Sequence, residues 1–381
     1  MAIETATGSA GARWCINDEV TQLREWASTT IHRLPALPAV GDKLTIGASD
    51  NCWLRLQDPQ LLVSRQHARL TYEHPAGWTI TDTQSKNGLI IDGVPRLSFP
   101  LTPGAEILIG GVTLVAESPR LSALRDVLAR LIGWSAERQL AVDIALRAVR
   151  MAIFDREPLL LCANAGYRSI ARLLHRYVIG AERPFIVYER RNSADKTERK
   201  SRAQSTAPAH ATIAYECGPE ALAAATGGTL MVPRKRLPDD FDHVLALVHL
   251  PTTRVFLIVC SQTPPHGRSR QLIVPPLTGR SLEIDRIIDE YAADAVTELG
   301  LGGSLTPAQR NWVAQENSTL AGIESATRRL IVLRAEGGNV NRAARRLELS
   351  PGSLSPWVAR RDLPGLRDEV ADNGDDDDSD E

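Results

Sequence analysis

Two short polar clusters carry the chemistry most readily read from this sequence. Ser64-Arg65-Gln66-His67 is followed downstream by Ser85-Lys86-Asn87-Gly88. Hydroxyl and amide groups are compact hydrogen-bonding partners, able to hold a phosphate oxygen and a peptide backbone, and Arg65 or Lys86 beside them supplies the charge that strengthens such contacts. A hydrolytic Ser64–His67 pair finds no support, because no G-x-S-x-G elbow surrounds the serine and no third partner is evident. A third constellation is basic. Arg342, Arg345 and Arg346 lie close together and Arg360 and Arg361 follow, with Ser353 between them. That is a basic footprint for nucleic-acid phosphates.

The elements that position these groups fall into regions of different pattern. An extension over 1–39 precedes short alternating segments broken by Gly, Pro and Asp over 40–118, which read as an all-β sandwich. Residues 121–300 alternate helical and strand-like patterns, an α/β domain. In it, Leu121 to Phe154 is helical, and the apolar runs Leu159 to Cys162 and Phe256 to Val259 read as central strands of a parallel sheet. The polar stretch from Arg190 to Arg202 reads as a loop. Residues 301–365 are helical. Ala321 to Glu336 is amphipathic, Gly337-Gly338 ends it, Asn339 caps a helix to Leu347, and Ser350-Pro351 opens a third reaching about Arg361.

The net charge is −2, but 371–381 holds seven acids and no base, so the remainder is net positive. The tail over 366–381 reads as disordered and solvated, or as a competitor with nucleic acid for a basic surface. No apolar run is long enough for a membrane span and no signal peptide is read at the N-terminus. The five cysteines are scattered, without metal-ligand spacing. These features place the protein in the cytoplasm, with no metal and no cofactor.

The series Ile46-Gly47, Ser64-Arg65-Gln66-His67, Asp82, Ser85-Lys86-Asn87-Gly88 and Ile109-Gly110 resembles the forkhead-associated (FHA) domain from about Leu44 to Glu117. The resemblance implies that Ser64 contacts phosphate, that Asn87 holds the ligand backbone and that His67 is structural. Arg65, Ser85 and Lys86 join them as phosphopeptide-binding candidates. Family members usually carry Arg directly after the first Gly. Here that position is Ala48, for which Arg55 is a substitute. Phosphothreonine recognition and a fold kept for protein contact both remain open.

Leu159 to His175, Pro184 to Val187, Ala225 to Val232 and Pro275 to Ile284 resemble, in that order, the AAA+ domain of bacterial enhancer-binding activators of the nitrogen-type sigma factor. The resemblance implies a degenerate nucleotide site. A phosphate-binding loop needs glycines and a Lys. Only Gly166 survives here, and Tyr167 stands at the Lys position. Pro233 and Arg234 occupy the places of the acidic pair that would hold Mg²⁺. The expectation is an α/β core that is not an enzyme.

Gly338-Asn339-Val340, Ala343-Ala344, Leu347 and Ser350 resemble the Fis-type helix-turn-helix that closes those activators. The resemblance implies DNA binding as a dimer through Arg342, Arg345, Arg346, Ser353, Arg360 and Arg361. A degenerate packing or dimer module is the other reading, because Pro356 lies inside the third helix and is expected to kink it. The combined reading is a multi-domain DNA-binding transcriptional regulator with an FHA-like sensor and a catalytically inactive AAA+-like core. The alternative is a phosphothreonine-peptide-binding adaptor without DNA binding.

Overall fold

The computed structural model describes residues 18–190, 214–263, 270–361 and 363. Compactness divides them into two units. The first holds 18–162, 171–190 and 214–273, and the second 163–170 and the chain from 274 onward.

In the first unit, eleven short strands build a sandwich: β1 (Gln22–Glu25), β2 (Ile31–Arg33), β3 (Lys43–Gly47), β4 (Leu54–Arg55), β5 (Ala68–Glu73), β6 (Gly77–Asp82), β7 (Leu89–Ile91), β8 (Val94–Arg96), β9 (Ser98–Pro100), β10 (Glu106–Ile109) and β11 (Val112–Glu117). One sheet runs β2-β1-β11-β10-β7-β8 and the other β4-β3-β5-β6-β9. The alternation read from the sequence sets which side chains turn inward, as with Ala68 and Leu70, Trp78 and Ile80, and Ile107 and Ile109, all buried between the sheets. Part of the expected 1–39 extension belongs to this sandwich. β1 pairs antiparallel with β11 from Gln22↔Glu117 to Glu25↔Leu114, and β2 adds to its other side.

The sandwich runs directly into α1 (Pro119–Ile132), whose N-cap Ser118 accepts a bond from Leu121 N at 3.2 Å. The helical stretch over 121–154 consists of two helices. α1 stops at Gly133, which has φ +134°, a conformation that side-chain-bearing residues rarely adopt. A 3₁₀ turn then leads into α2 (Gln139–Phe154). α2 is tied to the sandwich by charge. Arg24, on β1, bonds Asp143 of α2, and Arg147 bonds Glu106 while lying 4.2 Å from the ring centre of Trp26.

The same unit contains a parallel sheet: β12 (Leu159–Cys162), β13 (Phe185–Val187), β14 (Thr229–Pro233), β15 (Phe256–Ser261) and β16 (Gln271–Ile273), in the spatial order β13-β14-β15-β12-β16. The two apolar runs read as central strands, β12 and β15, are neighbours, with Leu159 opposite Ile258. The chain returns to β12 through β15 and then crosses to its other side for β16. This is a reversal of winding, the place where an open α/β sheet leaves a crevice beyond its strand ends. Helices α3 (Tyr167–Val178), α4 (Gly218–Ala224) and α5 (Phe241–Val248) connect the strands. Arg190, at the start of the expected loop, bonds Asp239; residues 191–202 of that loop lie outside the described residues.

The second unit is helical: α6 (Ile284–Leu299), α7 (Pro307–Glu316), α8 (Leu320–Ala335), α9 (Val340–Arg346) and α10 (Pro351–Ala359). Asn339 caps α9 as expected, accepting from Arg342 N at 3.0 Å. Ser350 stands at the N-cap of α10, but its side chain makes no capping bond, and the helix ends at Ala359 rather than near Arg361. Pro356 does not end α10. The helix runs on through it, with Arg360 N donating to Pro356 O at 3.1 Å. Trp357 then anchors the helix, edge-on to Trp312 at 5.8 Å and flanked by the guanidinium groups of Arg329 and Arg361. The acidic tail lies outside the described residues.

Candidate phosphopeptide site

Three connections meet at one end of the sandwich: 48–53 after β3, 56–67 after β4, and 83–88 after β6. Their backbones are laced together. Ala48 N donates to Ser64 O and Ser49 N to Arg65 O, each at 3.0 Å, and Thr83 N donates to His67 O at 3.1 Å. Gly47 makes the first approach possible, because a Cβ there would stand 2.4 Å from Arg65 O.

His67 is fully buried beneath these loops. Its Nδ1 accepts from Ser64 N at 3.1 Å, and its Nε2 lies 3.0 Å from Gly88 O. A backbone N–H only donates and a carbonyl only accepts, so the ring carries its proton on Nε2. One imidazole thus ties the start of the first polar cluster to the end of the second.

Ser64 Oγ accepts from Lys86 N at 3.1 Å, which leaves its own proton available to an incoming acceptor. Asn87, an exposed residue, donates from Nδ2 to Leu62 O at 2.8 Å, which holds its amide in place. Arg65 and Lys86 have exposed side chains. Ser85 is placed differently from its candidate role. Its hydroxyl donates to Asp82 Oδ1 at 2.5 Å and accepts from Gly88 N at 2.9 Å, so it braces the loop. Ala48 packs against the sandwich core, and Arg55 pairs with Asp50.

Asp58 is an organising residue that the sequence reading missed. Its carboxylate accepts from Gln60 N at 3.0 Å, Leu62 N at 2.8 Å and Gly111 N at 3.1 Å, fixing the loop that presents Ser64. Desolvation pushes this carboxyl upward, but the N–H donors of Gln60, Gly111, Leu62 and Val63 outweigh it and hold it below the ordinary value. The available signal was an Asp two residues before Gln60 and next to a Pro, an Asx-turn pattern.

Residues 44–110 match the model of the FHA domain. They form an FHA domain, to which β1, β2 and β11 add the flanking strands. Similar solved structures include the FHA domain of the CT664 protein from Chlamydia trachomatis, with 22% identity over 26% of this chain and 95% of that one and a TM-score of 0.23. The Slr1951 protein from Synechocystis sp. shares 26% identity over 26% of this chain and 93% of its own, with a TM-score of 0.22. The N-terminal FHA domain of S. cerevisiae Rad53p, in complex with a phosphothreonine peptide, shares 18% over 26% and 91%, with a TM-score of 0.23. No curated protein matches the sequence.

The other candidate residues lie in two further places. Gly166, with φ +77°, precedes Tyr167 at the start of α3. The loop 163–166 is packed by its own unit. A Cβ on Gly166 would meet that of Ala321 at 2.5 Å, and Ala163 to Ala165, Pro275, Pro276 and Thr319 leave a cavity of about 50 Å³ between them. Pro233 ends β14 and Arg234 opens an exposed basic turn, Arg234-Lys235-Arg236. Burial raises the Cys162 thiol, with Arg234 pulling the other way, and burial pushes Cys260 up to about 12, which favours the protonated thiol at both. Among the described residues no His, Cys, Asp and Glu cluster could hold a metal ion, and no helix is long and apolar enough to cross a membrane.

The six DNA-binding candidates divide. Arg346 bonds Glu336 Oε1 at 3.2 Å and Leu299 O at 2.9 Å, Arg342 leans on the same Glu336, and Arg361 folds over Trp357. Ser353 Oγ donates to Ser350 O at 2.7 Å. Arg345 and Arg360 extend into solvent.

Proposed function

We propose that this protein is a non-catalytic regulator that recognises a phosphothreonine-containing partner through the loop end of its FHA domain. The observation that carries this reading is the pairing of Ser64 Oγ, which keeps a free O–H, with the Asn87 amide, both on loops anchored by the buried His67. Short donors on a rigid frame are what a phosphoryl oxygen and an extended peptide require. The test is a binding titration of the full chain with a degenerate pool of phosphothreonine peptides and the same pool unphosphorylated. Selective binding that Ser64→Ala and Asn87→Ala each weaken supports the reading, and equal affinity for the two pools refutes it.

The α/β core is proposed to be an AAA+-like scaffold without nucleotide turnover. Its loop after β12 has about 50 Å³ of space, well below the roughly 300 Å³ of small-molecule sites. Tyr167, Pro233 and Arg234 supply neither a phosphate-binding amine nor a cation ligand. ATP hydrolysis above background by the purified chain would overturn this.

A transcriptional role is a second reading, favoured by α9, capped by Asn339, with α10 directly after it and Arg345 and Arg360 exposed. It predicts salt-sensitive binding of duplex DNA by a dimer. Failure to bind at low salt leaves the adaptor reading.

A further inference from the structure

A phosphoryl group at Ser64 needs a cation, and three exposed bases lie on this end of the FHA domain: Arg55, Arg65 and Lys86. Arg55 differs from the other two in being fixed by a ladder. β4 pairs parallel with β3 so that Arg55 stands opposite Gly47, about 4.8 Å away across the strands. Ala48, the next residue, shares a cavity of about 410 Å³ with Arg55, and Val63 lines it too. Both walls lead to Ser64, since Val63 precedes it in the chain and Ala48 N donates to its carbonyl at 3.0 Å. A small side chain at 48 thus leaves open space that an arginine from the neighbouring strand borders.

Arg55 already has an anionic occupant. Its Nη1 pairs with Asp50 Oδ1, and the side chains are 56% and 79% exposed. An ion pair so exposed is weak. A phosphoryl group carries about −1.5 to −2 charge and three acceptor oxygens, more than one carboxylate offers.

Building on the phosphopeptide reading, we propose that Arg55 is the phosphate-gripping cation of this site and that Asp50 is a built-in competitor which the phosphoryl group displaces. Asp50 holds the guanidinium at the mouth of the cavity in the absence of ligand and sets a threshold of charge. A peptide bearing Asp or Glu in place of phosphothreonine merely exchanges one carboxylate for another and gains little. The doubly charged phosphoryl group wins the exchange. The site therefore discriminates phosphothreonine from its acidic mimics through Asp50.

The test compares the full chain with Arg55→Gln, Asp50→Asn and Ser64→Ala by fluorescence polarisation. The probes are a degenerate phosphothreonine peptide pool and the same pool with Asp at that position. Both altered side chains near Arg55 are exposed, so folding is checked by circular dichroism and is expected to be unchanged. Arg55→Gln should weaken the phosphothreonine pool by about tenfold or more, the scale of a lost charge-assisted bond. Asp50→Asn should strengthen it several-fold and bring the Asp pool into a measurable range. Wild-type affinity in Arg55→Gln, with Ser64→Ala still losing the peptide, overturns the assignment and leaves the phosphopeptide reading standing. Unchanged or weakened binding in Asp50→Asn overturns the competitor. If neither wild type nor Asp50→Asn binds the phosphorylated pool, the phosphopeptide reading falls and this inference with it.

Discussion

Arg24 and Asp143 stand 119 residues apart in the chain and meet in a two-pronged ion pair, Nη2 to Oδ1 at 2.6 Å and Nη1 to Oδ2 at 2.9 Å, with neither side chain exposed. Glu117 takes the third prong through Nε at 2.7 Å. Burial alone would lower the guanidinium pKa, but bonds and charge from Asp143 and Glu117 outweigh it, and the pKa is raised. Asp143→Ala would leave a buried cation with half its partners, at a cost of about 3–5 kcal/mol, read as a lower urea midpoint. Arg24→Met combined with Glu117→Gln and Asp143→Leu should recover most of that loss, because it removes the guanidinium together with both carboxylates it holds. A triple variant no better than the single one would contradict this account.

Gly47→Ala places a Cβ 2.4 Å from a backbone oxygen, where no flexible side chain can yield. The Ser64 loop must move, so we expect a loss of about 1–3 kcal/mol together with loss of phosphopeptide binding. Gly77→Ala, at a site open around its Cβ but with φ +76°, should cost stability alone. Equal binding defects in the two variants would show that strain, not the approach to Arg65, matters.

His175 is 2% exposed, with Nδ1 2.8 Å from Thr229 Oγ1. Burial pushes the imidazole below its ordinary value, aided by Arg172 and Arg176 and opposed by the Arg183 backbone and Glu182. The folded state thus favours the neutral ring, while the unfolded chain takes up a proton near pH ~6.5. Stability is full above that pH and falls as pH drops below it. Unfolding midpoints between pH 7.5 and 5 should decline in wild type and less in His175→Phe. Parallel declines would assign the effect to other groups.

At the C-terminal helices, Arg345→Ala and Arg360→Ala should each weaken duplex DNA uniformly across sequences and reduce the salt slope by about one, if DNA binds there. Arg346→Ala removes bonds to Glu336 and Leu299, so its main expected effect is a lower melting temperature. A filter-binding series over salt, alongside thermal unfolding, separates the two.

The FHA site was legible because Ser64, His67 and Asn87 sit on loops whose types and order carry their own chemistry. β1 was not, because a buried Arg24 interrupts the apolar pattern of a core strand and its partner lies on a helix far along the chain. Ser85 matched a ligand contact by type, and only the structure reveals that Asp82 holds its hydroxyl. Pro356 signalled a break, yet the helix continues through it to Ala359. Arg342 and Arg346 counted as free charge in the sequence, yet a single carboxylate at Glu336 receives both.

The absence of any spacer between Glu117 and α1 bears on how the chain can be divided. Glu117 belongs at once to the last strand and to the Arg24 ion pair, and Ser118 already caps the helix. A fragment cut at the end of the matched 44–110 segment would lack β1, β11 and the Asp143 carboxylate, and one cut at 118 would keep Arg24 without its main counter-charge. The smallest piece that retains every partner of that guanidinium begins before Gln22 and runs through Phe154.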